Sequence, residues 1–88
     1  MLEIRPTCEH CNKALPPSSE EAMICTFECT FCVDCVENLL AHVCPNCGGG
    51  FEKRPIRPLR LLDKYPPSTK IVHKPVDIDS HLKRINDL

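Results

Sequence analysis

The chain has 88 residues, eight cysteines and a formal net charge of −1. That length provides one domain and leaves no room for a second independent core. Aromatic residues are few, with three Phe, one Tyr and no Trp, so the apolar core is thin for the entropy that folding costs. We therefore expect the cysteines to stabilise the fold, either as disulfides or as metal ligands.

Charge divides the chain into two halves. Residues 1–50 carry two basic and seven acidic side chains, whereas residues 51–88 carry nine basic and five acidic ones. The acidic half, which holds every cysteine and glycine, is poorly suited to a phosphate backbone. The basic half remains a candidate for binding a phosphate backbone.

The beginning of the chain bears on the choice between disulfides and metal. Residues 1–6 contain no basic segment followed by an apolar stretch, so no export signal is predicted. No apolar stretch approaches the roughly 20 residues that cross a bilayer, so no membrane partner is expected. Paired cysteines in the reducing cytoplasm more often bind metal than form disulfides. We predict a cytoplasmic metal-binding protein, and a disulfide framework is the alternative.

The first 52 residues, here called the head, are predicted to form a hairpin followed by a helix. Short strands are expected at 22–25 and 30–31, around a turn at 26–29. Residues 34–42 have the strongest helical pattern in the chain. Its apolar face consists of Val36, Leu39 and Leu40, and Val43, directly after it, falls on the same face.

The remainder is predicted to be an arm and a short helix. Residues 53–76, the arm, contain prolines at five positions interleaved with Lys and Arg, a density that no helix or central strand tolerates. Residues 77–88 place apolar side chains at helical spacing behind a candidate N-cap, Asp77 or Asp79. Twelve residues are marginal as an isolated helix, so this segment either packs on something or frays.

The cysteines form four closely spaced pairs, Cys8 and Cys11, Cys25 and Cys29, Cys32 and Cys35, Cys44 and Cys47. Four pairs complete two tetrahedral sites of four thiolates, the arrangement that structural zinc prefers, with no position open to a substrate. Nucleophilic cysteine chemistry needs a free thiol beside a base, and every thiol here is assigned to metal. We predict two Zn²⁺ ions, no catalytic residue and no small-molecule substrate.

The spacing fits the cross-brace order of RING fingers, in which the first and third pairs bind one ion and the second and fourth bind the other. The first site is then Cys8, Cys11, Cys32 and Cys35, and the second is Cys25, Cys29, Cys44 and Cys47. The predicted fold is a small metal-stabilised α+β domain, RING-like, with a treble clef, a short hairpin and one helix. A sequential assignment of ligands and an iron–sulfur cluster remain open.

Four histidines accompany the cysteines. His10 lies between two predicted ligands and His42 two residues before another. Because eight cysteines already complete two sites, both are interpreted as surface residues or as neighbours of the ligands. His73 and His81, in the basic half, are expected to be solvated.

Two segments carry a resemblance to a known family. They are the opening Met-Leu-Glu-Ile-Arg-Pro and the run Cys-Thr-Phe-Glu-Cys-Thr-Phe-Cys at 25–32, supported by Cys-Pro-Asn-Cys-Gly-Gly at 44–49. With these motifs, residues 1–50 resemble a family of short bacterial proteins called domain of unknown function 1272, and the likeness extends to 53–55. The resemblance implies a small bacterial cytoplasmic metal-binding protein and no particular activity.

The looser likeness to RING ubiquitin ligases is weaker at the positions that contact the conjugating enzyme. Those ligases usually place an aliphatic residue before the second cysteine, where this chain has His10. They often place a basic residue after the last cysteine, where this chain has Gly48. Leu39 or Leu40 provides the third contact. Ubiquitin-ligase activity is therefore not expected.

We expect a structural zinc module that mediates protein–protein interaction or regulation. One alternative is a nucleic-acid-binding regulator that uses the basic arm, through Lys53, Arg54, Arg57, Arg60 and Lys64. A solvated linker is the favoured interpretation of those side chains, because no aromatic residue interleaves them. Another alternative is a redox sensor, in which oxidation of the thiolates ejects zinc.

Overall fold

The computed structural model describes residues 2–86, and its centre is a three-stranded antiparallel sheet. The strand order is β2–β1–β3, so β1 lies between the other two. The strands are β1 (Ala22–Ile24), β2 (Thr30–Cys32) and β3 (Glu52–Lys53). The helices are α1 (Val33–Asn38), α2 (Leu59–Leu62) and α3 (Ile78–Asn86). The molecule is elongated, with principal extents of 45, 19 and 18 Å.

The predicted hairpin is confirmed. β1 and β2 pair with Met23 opposite Phe31, and the turn between them is closed by two backbone hydrogen bonds. The Cys25 N–H donates to the Cys29 carbonyl at 3.2 Å, and the Glu28 N–H donates to the Cys25 carbonyl at 3.1 Å. Glu28 has a φ of 62°, so the turn includes a left-handed residue. Both predicted strands lie within one residue of the observed ones.

The predicted helix over 34–42 is present as α1 but ends earlier, so its predicted C-terminal end is wrong. The N–H groups of Leu39 and Leu40 both donate to the Cys35 carbonyl, at 3.0 and 2.8 Å. Ala41 and His42 then adopt left-handed φ values of 53° and 62°. Left-handed residues end a helix and reverse the chain. The reversal directs the chain back toward the hairpin, so that Cys44 and Cys47 come close to Cys25.

The core consists of a few apolar side chains and most of the thiols. Phe31 is 1% exposed and stacks edge-to-face on Phe51, with ring centroids 5.6 Å apart. The other fully buried apolar residues include Ile4, Leu15, Val36 and Leu40. Since so few large residues are buried, the fold needs the further stabilisation that its composition predicts.

The arm is more ordered than its proline content predicts. β3 crosses the boundary between head and arm, pairing Glu52 with Ile24 and Lys53 with Met23. Within the arm, α2 begins after Pro58, whose φ of −56° suits a helix start. The Tyr65 N–H donates to the Leu61 carbonyl at 2.8 Å, and Pro66 and Pro67 follow. The interpretation of a wholly extended arm is therefore wrong over this one turn.

Two arginines of the arm are not solvated. Arg54 is 3% exposed, and its guanidinium donates to the carbonyls of Arg5, Leu15 and Pro16 at 2.9–3.1 Å. Arg57 donates to the carbonyls of Leu2 and Tyr65, each at 2.7 Å. The expectation of a solvated linker is wrong at Arg54 and Arg57, because backbone carbonyls distant in sequence converge on them.

The C-terminal helix packs on the head. Asp77 caps it, since its carboxylate accepts a hydrogen bond from the Ser80 N–H at 3.3 Å. His81 is 2% exposed, and its Nε2 lies 2.8 Å from the Leu40 carbonyl. The expectation that His81 is solvated is wrong for this reason. Residues 87 and 88 of the predicted segment lie outside the described residues.

None of the helices among residues 2–86 combines the length and the apolar character that crossing a membrane requires.

Candidate metal centres

The first candidate site brings together four thiols from two distant parts of the head, those of Cys8, Cys11, Cys32 and Cys35. Their sulfur atoms all lie within 4.8 Å of one another. The Sγ atoms of Cys8 and Cys35 are 3.9 Å apart, and those of Cys11 and Cys32 are 3.7 Å apart. Four sulfurs about 2.3 Å from a tetrahedral zinc lie about 3.8 Å from each other. The donor set therefore fits one such ion.

Local structure explains how these four thiols meet. The loop holding Cys8 and Cys11 is closed by hydrogen bonds from Cys8 N–H to the Lys13 carbonyl at 2.9 Å and from Asn12 N–H to the Cys8 carbonyl at 3.0 Å. Asn12 has a φ of 63°, which Asn tolerates better than most residues. Cys32 ends β2 and precedes the first turn of α1, which contains Cys35. Strand and helix thus present two thiols to the loop.

The second candidate site joins the hairpin turn to the loop after α1. The sulfur atoms of Cys25, Cys44 and Cys47 all lie within 4.8 Å of one another. Each accepts a backbone hydrogen bond from the residue two positions later, at 3.3 Å for Cys25 and 3.4 Å for the other two. Gly48 takes a φ of 78° between the last ligand and its donor, a conformation that glycine adopts without steric cost. Such N–H groups stabilise thiolates.

Cys29 is the one predicted ligand that the structure does not bring into a group. It is 9% exposed, and its carbonyl accepts a hydrogen bond from the Cys25 N–H at 3.2 Å. The second group therefore has three of its four predicted members in place. The fourth lies beside them.

In each group the pKa of two thiols is raised and the pKa of another is lowered. Burial raises the pKa of four of them, Cys25, Cys32, Cys35 and Cys44. Burial also opposes ionisation of Cys47, but the Gly49 N–H, the Thr26 hydroxyl and neighbouring thiols outweigh it, so the pKa falls to about 7. At Cys11 burial is likewise outweighed, by the Lys13 N–H and neighbouring thiols, and the pKa is lowered. Since clustered thiolates repel one another, complete ionisation requires a cation between them.

The histidines near the ligands make other contacts. His10 Nδ1 accepts a hydrogen bond from the Val76 N–H at 2.9 Å, and the His10 carbonyl lies 3.2 Å from His73 Nε2. His42 is exposed. Among the described residues, neither sulfur group includes a histidine. His10 therefore connects the first cysteine loop to the arm.

A buried carboxylate, that of Glu9, lies beside the ligands and was not predicted from the sequence. Glu9 is 2% exposed and accepts hydrogen bonds from Arg5 Nη1 and Thr30 N–H, each at 2.8 Å, and from Asn46 Nδ2 at 3.3 Å. It thereby joins the first cysteine loop, the hairpin and the last cysteine loop. The available signal was the spacing of Arg5 and Glu9, four residues apart and of opposite charge.

The chain matches known sequences over most of its length. A family model described as "Protein of unknown function (DUF1272)" matches residues 1–57, which include both sulfur groups. An uncharacterized protein of Rhizobium meliloti (strain 1021) is 59% identical over 75 residues, covering 85% of this chain and 89% of that protein. No solved structure matches the chain. The family predicted from the opening hexapeptide and the run at 25–32 is therefore confirmed, and this chain belongs to the DUF1272 family.

Proposed function

We propose that the chain is a structural zinc-binding module of the bacterial cytoplasm, with a RING-like cross-brace that holds a surface for another protein to bind. One observation carries this proposal, namely the interleaved grouping of the sulfur atoms. Cys8 and Cys11 meet Cys32 and Cys35 across the intervening Cys25, which itself meets Cys44 and Cys47. A sequential assignment would pair the first four cysteines instead. The interleaved order makes each ion connect segments distant in sequence.

The metal in this proposal is zinc because of the donor set. All eight cysteines are free thiols, and four thiolates in a tetrahedron are a structural zinc site. Binding of zinc to such a site contributes on the order of 10 kcal/mol to folding at neutral pH. That exceeds what the few buried apolar residues of this head provide. We propose that the metal-free chain is unfolded.

Cys29 completes the second site in this proposal. Its carbonyl already accepts a hydrogen bond from the Cys25 N–H at 3.2 Å, which holds the two residues side by side in the hairpin turn. A site of four thiolates has no open coordination position for a substrate. The proposal accordingly assigns structural work to both ions and no catalytic residue to the chain.

The structure offers less support to the alternative in which the basic arm binds nucleic acid. The buried Arg54 and the half-buried Arg57 donate to backbone carbonyls. Lys53, Arg60 and Lys64 remain exposed on the arm. Of the five side chains considered for this role, these three are the exposed ones, and three cations beside an acidic head make a weak electrostatic footprint.

Metal analysis of the purified chain tests the proposal. We expect two zinc ions per chain by native mass spectrometry and elemental analysis, and loss of dispersed amide resonances on chelation. A Cys11→Ser variant and a Cys29→Ser variant should each reduce the zinc content, whereas Ser18→Ala, a change in an exposed turn, should not. A coloured iron protein would contradict zinc as the metal. A content of one ion per chain would contradict the number of sites, and full zinc loading of Cys29→Ser would contradict Cys29 as a ligand.

A further inference from the structure

A groove of about 690 Å³ lies between the head and residues 70–74 of the arm. Arg5, Glu9, Phe27 and Asn46 line it on the side of the head. These head residues belong to three different loops. The first cysteine loop holds ligands of the first candidate site, and the hairpin turn and the last cysteine loop hold ligands of the second. A cavity of this volume is within the range of ligand-binding sites in proteins.

The arm is fixed at both ends of the groove. Before it, the Ser68 N–H donates to the Ile4 carbonyl at 2.8 Å. After it, the Lys74 N–H donates to the Glu9 carbonyl at 2.7 Å, and the Val76 N–H donates to His10 Nδ1. The segment between these anchors therefore spans the head as one wall of the groove.

The charged side chains of the groove are mostly basic. Lys70 and Lys74 are exposed on the arm, and Arg5 opposite them already donates to the carboxylates of Glu3 and Glu9 at 3.0 and 2.8 Å. Glu9 is the one acidic side chain among the lining residues, and its carboxylate is already paired with Arg5 and two further donors. The groove therefore offers a local excess of positive charge to a ligand.

Apolar surface lies beside this charge. Phe27, at the tip of the hairpin, is 73% exposed, and Ile71 of the arm is 61% exposed. Both line the groove. Among the described residues they are two of only six large hydrophobic side chains that remain exposed. Cations combined with exposed aromatic and aliphatic side chains suit a ligand that carries carboxylates next to apolar groups.

We propose that this groove binds a short acidic and apolar peptide segment of a partner protein, with carboxylates at Lys70 and Lys74 and an apolar side chain at Phe27 and Ile71. This inference rests on the proposed function as a protein-interaction module. It adds the location of the surface and the chemistry of the segment recognised. The bound peptide lies along residues 70–74 of the arm, which the hydrogen bonds at both ends of the groove hold in place.

The balance of charge favours a peptide over a nucleic acid. Eight thiolates and two divalent ions change the formal net charge of the chain from −1 to −5. A phosphate backbone that extends from the groove over the head meets the half of the chain in which seven acidic side chains outnumber two basic ones. A peptide with two or three carboxylates places its charge only where the cations are.

Selection from a peptide display library tests the inference. The zinc-loaded full chain is used to select from random dodecapeptides, and the selected peptides are then synthesised and titrated by fluorescence anisotropy. We expect enrichment of peptides in which Asp or Glu flank an apolar residue, and binding that weakens as salt increases. A single-stranded DNA decamer is titrated in parallel, and we expect no binding to it.

One double variant and one single variant locate the site, and a second double variant is the control. Lys70→Glu with Lys74→Glu should weaken binding of the selected peptide by roughly tenfold or more, and Phe27→Ser should weaken it several-fold. The matched control is Lys53→Glu with Lys64→Glu, which changes the net charge equally outside the groove and should leave affinity within about twofold. Each variant must retain two zinc ions.

The outcomes separate this inference from the proposed function. A chain without two zinc ions refutes the proposed function before any peptide is tested. With zinc in place, failure to enrich acidic peptides overturns only the groove, as does equal weakening by the control pair. Binding of the DNA decamer that depends on Lys70 and Lys74 overturns it in favour of a nucleic-acid site.

Discussion

Replacing Arg54 tests whether the arm is part of the folded domain. Its guanidinium is 3% exposed and makes hydrogen bonds to three carbonyls, those of Arg5, Leu15 and Pro16. A hydrogen bond from a charged group contributes about 1.5–3 kcal/mol, and a buried carbonyl left without a partner costs about 1–3 kcal/mol. Against these stands the desolvation of the guanidinium, which also lowers the pKa of Arg54. Combining these terms, we expect Arg54→Met to lower the free energy of unfolding by about 2–4 kcal/mol.

The assay for Arg54→Met is urea unfolding at a fixed, buffered concentration of free zinc, because metal binding contributes to the measured stability. Arg60→Met is the matched control, since Arg60 lies in the same arm and is exposed. The control should change the free energy of unfolding by less than about 0.5 kcal/mol. Equal stability of Arg54→Met and the wild type would refute the argument. It would mean that the three carbonyls obtain water in place of the guanidinium.

Three further predictions concern the sites and the helix that packs beside them. Acidification below about pH 5 should release zinc and unfold the chain, because protons compete with metal for thiolates; a chromogenic chelator and far-UV circular dichroism follow both events. Glu9→Gln should cost about 2 kcal/mol in thermal or urea unfolding through its lost charged hydrogen bonds, whereas the exposed Glu20→Gln should cost less than about 0.5 kcal/mol. His81→Ala should leave the zinc content unchanged but increase amide hydrogen exchange over 78–86, whereas exposed His42→Ala should not; slow exchange in His81→Ala would contradict the role given to this histidine.

The parts of the fold that depend on nearby residues were predictable from sequence. The hairpin at 22–32 follows from two short apolar runs around a turn, and its strands are found within one residue. The composition of the first sulfur group agrees with the cross-brace order that the RING-like spacing favoured, although the sequence also left a sequential assignment open. The end of α1 was not predictable in this way. Helical periodicity continues to Val43, yet the chain turns at Ala41, and the turn returns Cys44 and Cys47 to the hairpin.

The parts that depend on distant residues were not predictable. A buried Arg54 requires three carbonyls from residues 5–16 to converge on it, and no local pattern around Arg54 records that convergence. The same holds for His81, which meets a carbonyl 41 positions earlier. In both cases composition predicted exposure, since Arg and His are usually exposed. The side chains are buried because each finds a partner.

If zinc occupies both sulfur groups as proposed, two further contacts make the arm dependent on the metal sites. The His10 side chain, between Cys8 and Cys11, accepts the Val76 N–H, and the carbonyl of Glu9 accepts the Lys74 N–H. If the cysteine loop loses its shape without metal, both acceptors move and the arm loses its anchors at that end of the groove. On the opposite side of the groove, Phe27 lies in the turn held by Cys25. Loss of zinc should therefore remove both walls at once, so a partner that binds there reports the metal-loaded state of the protein.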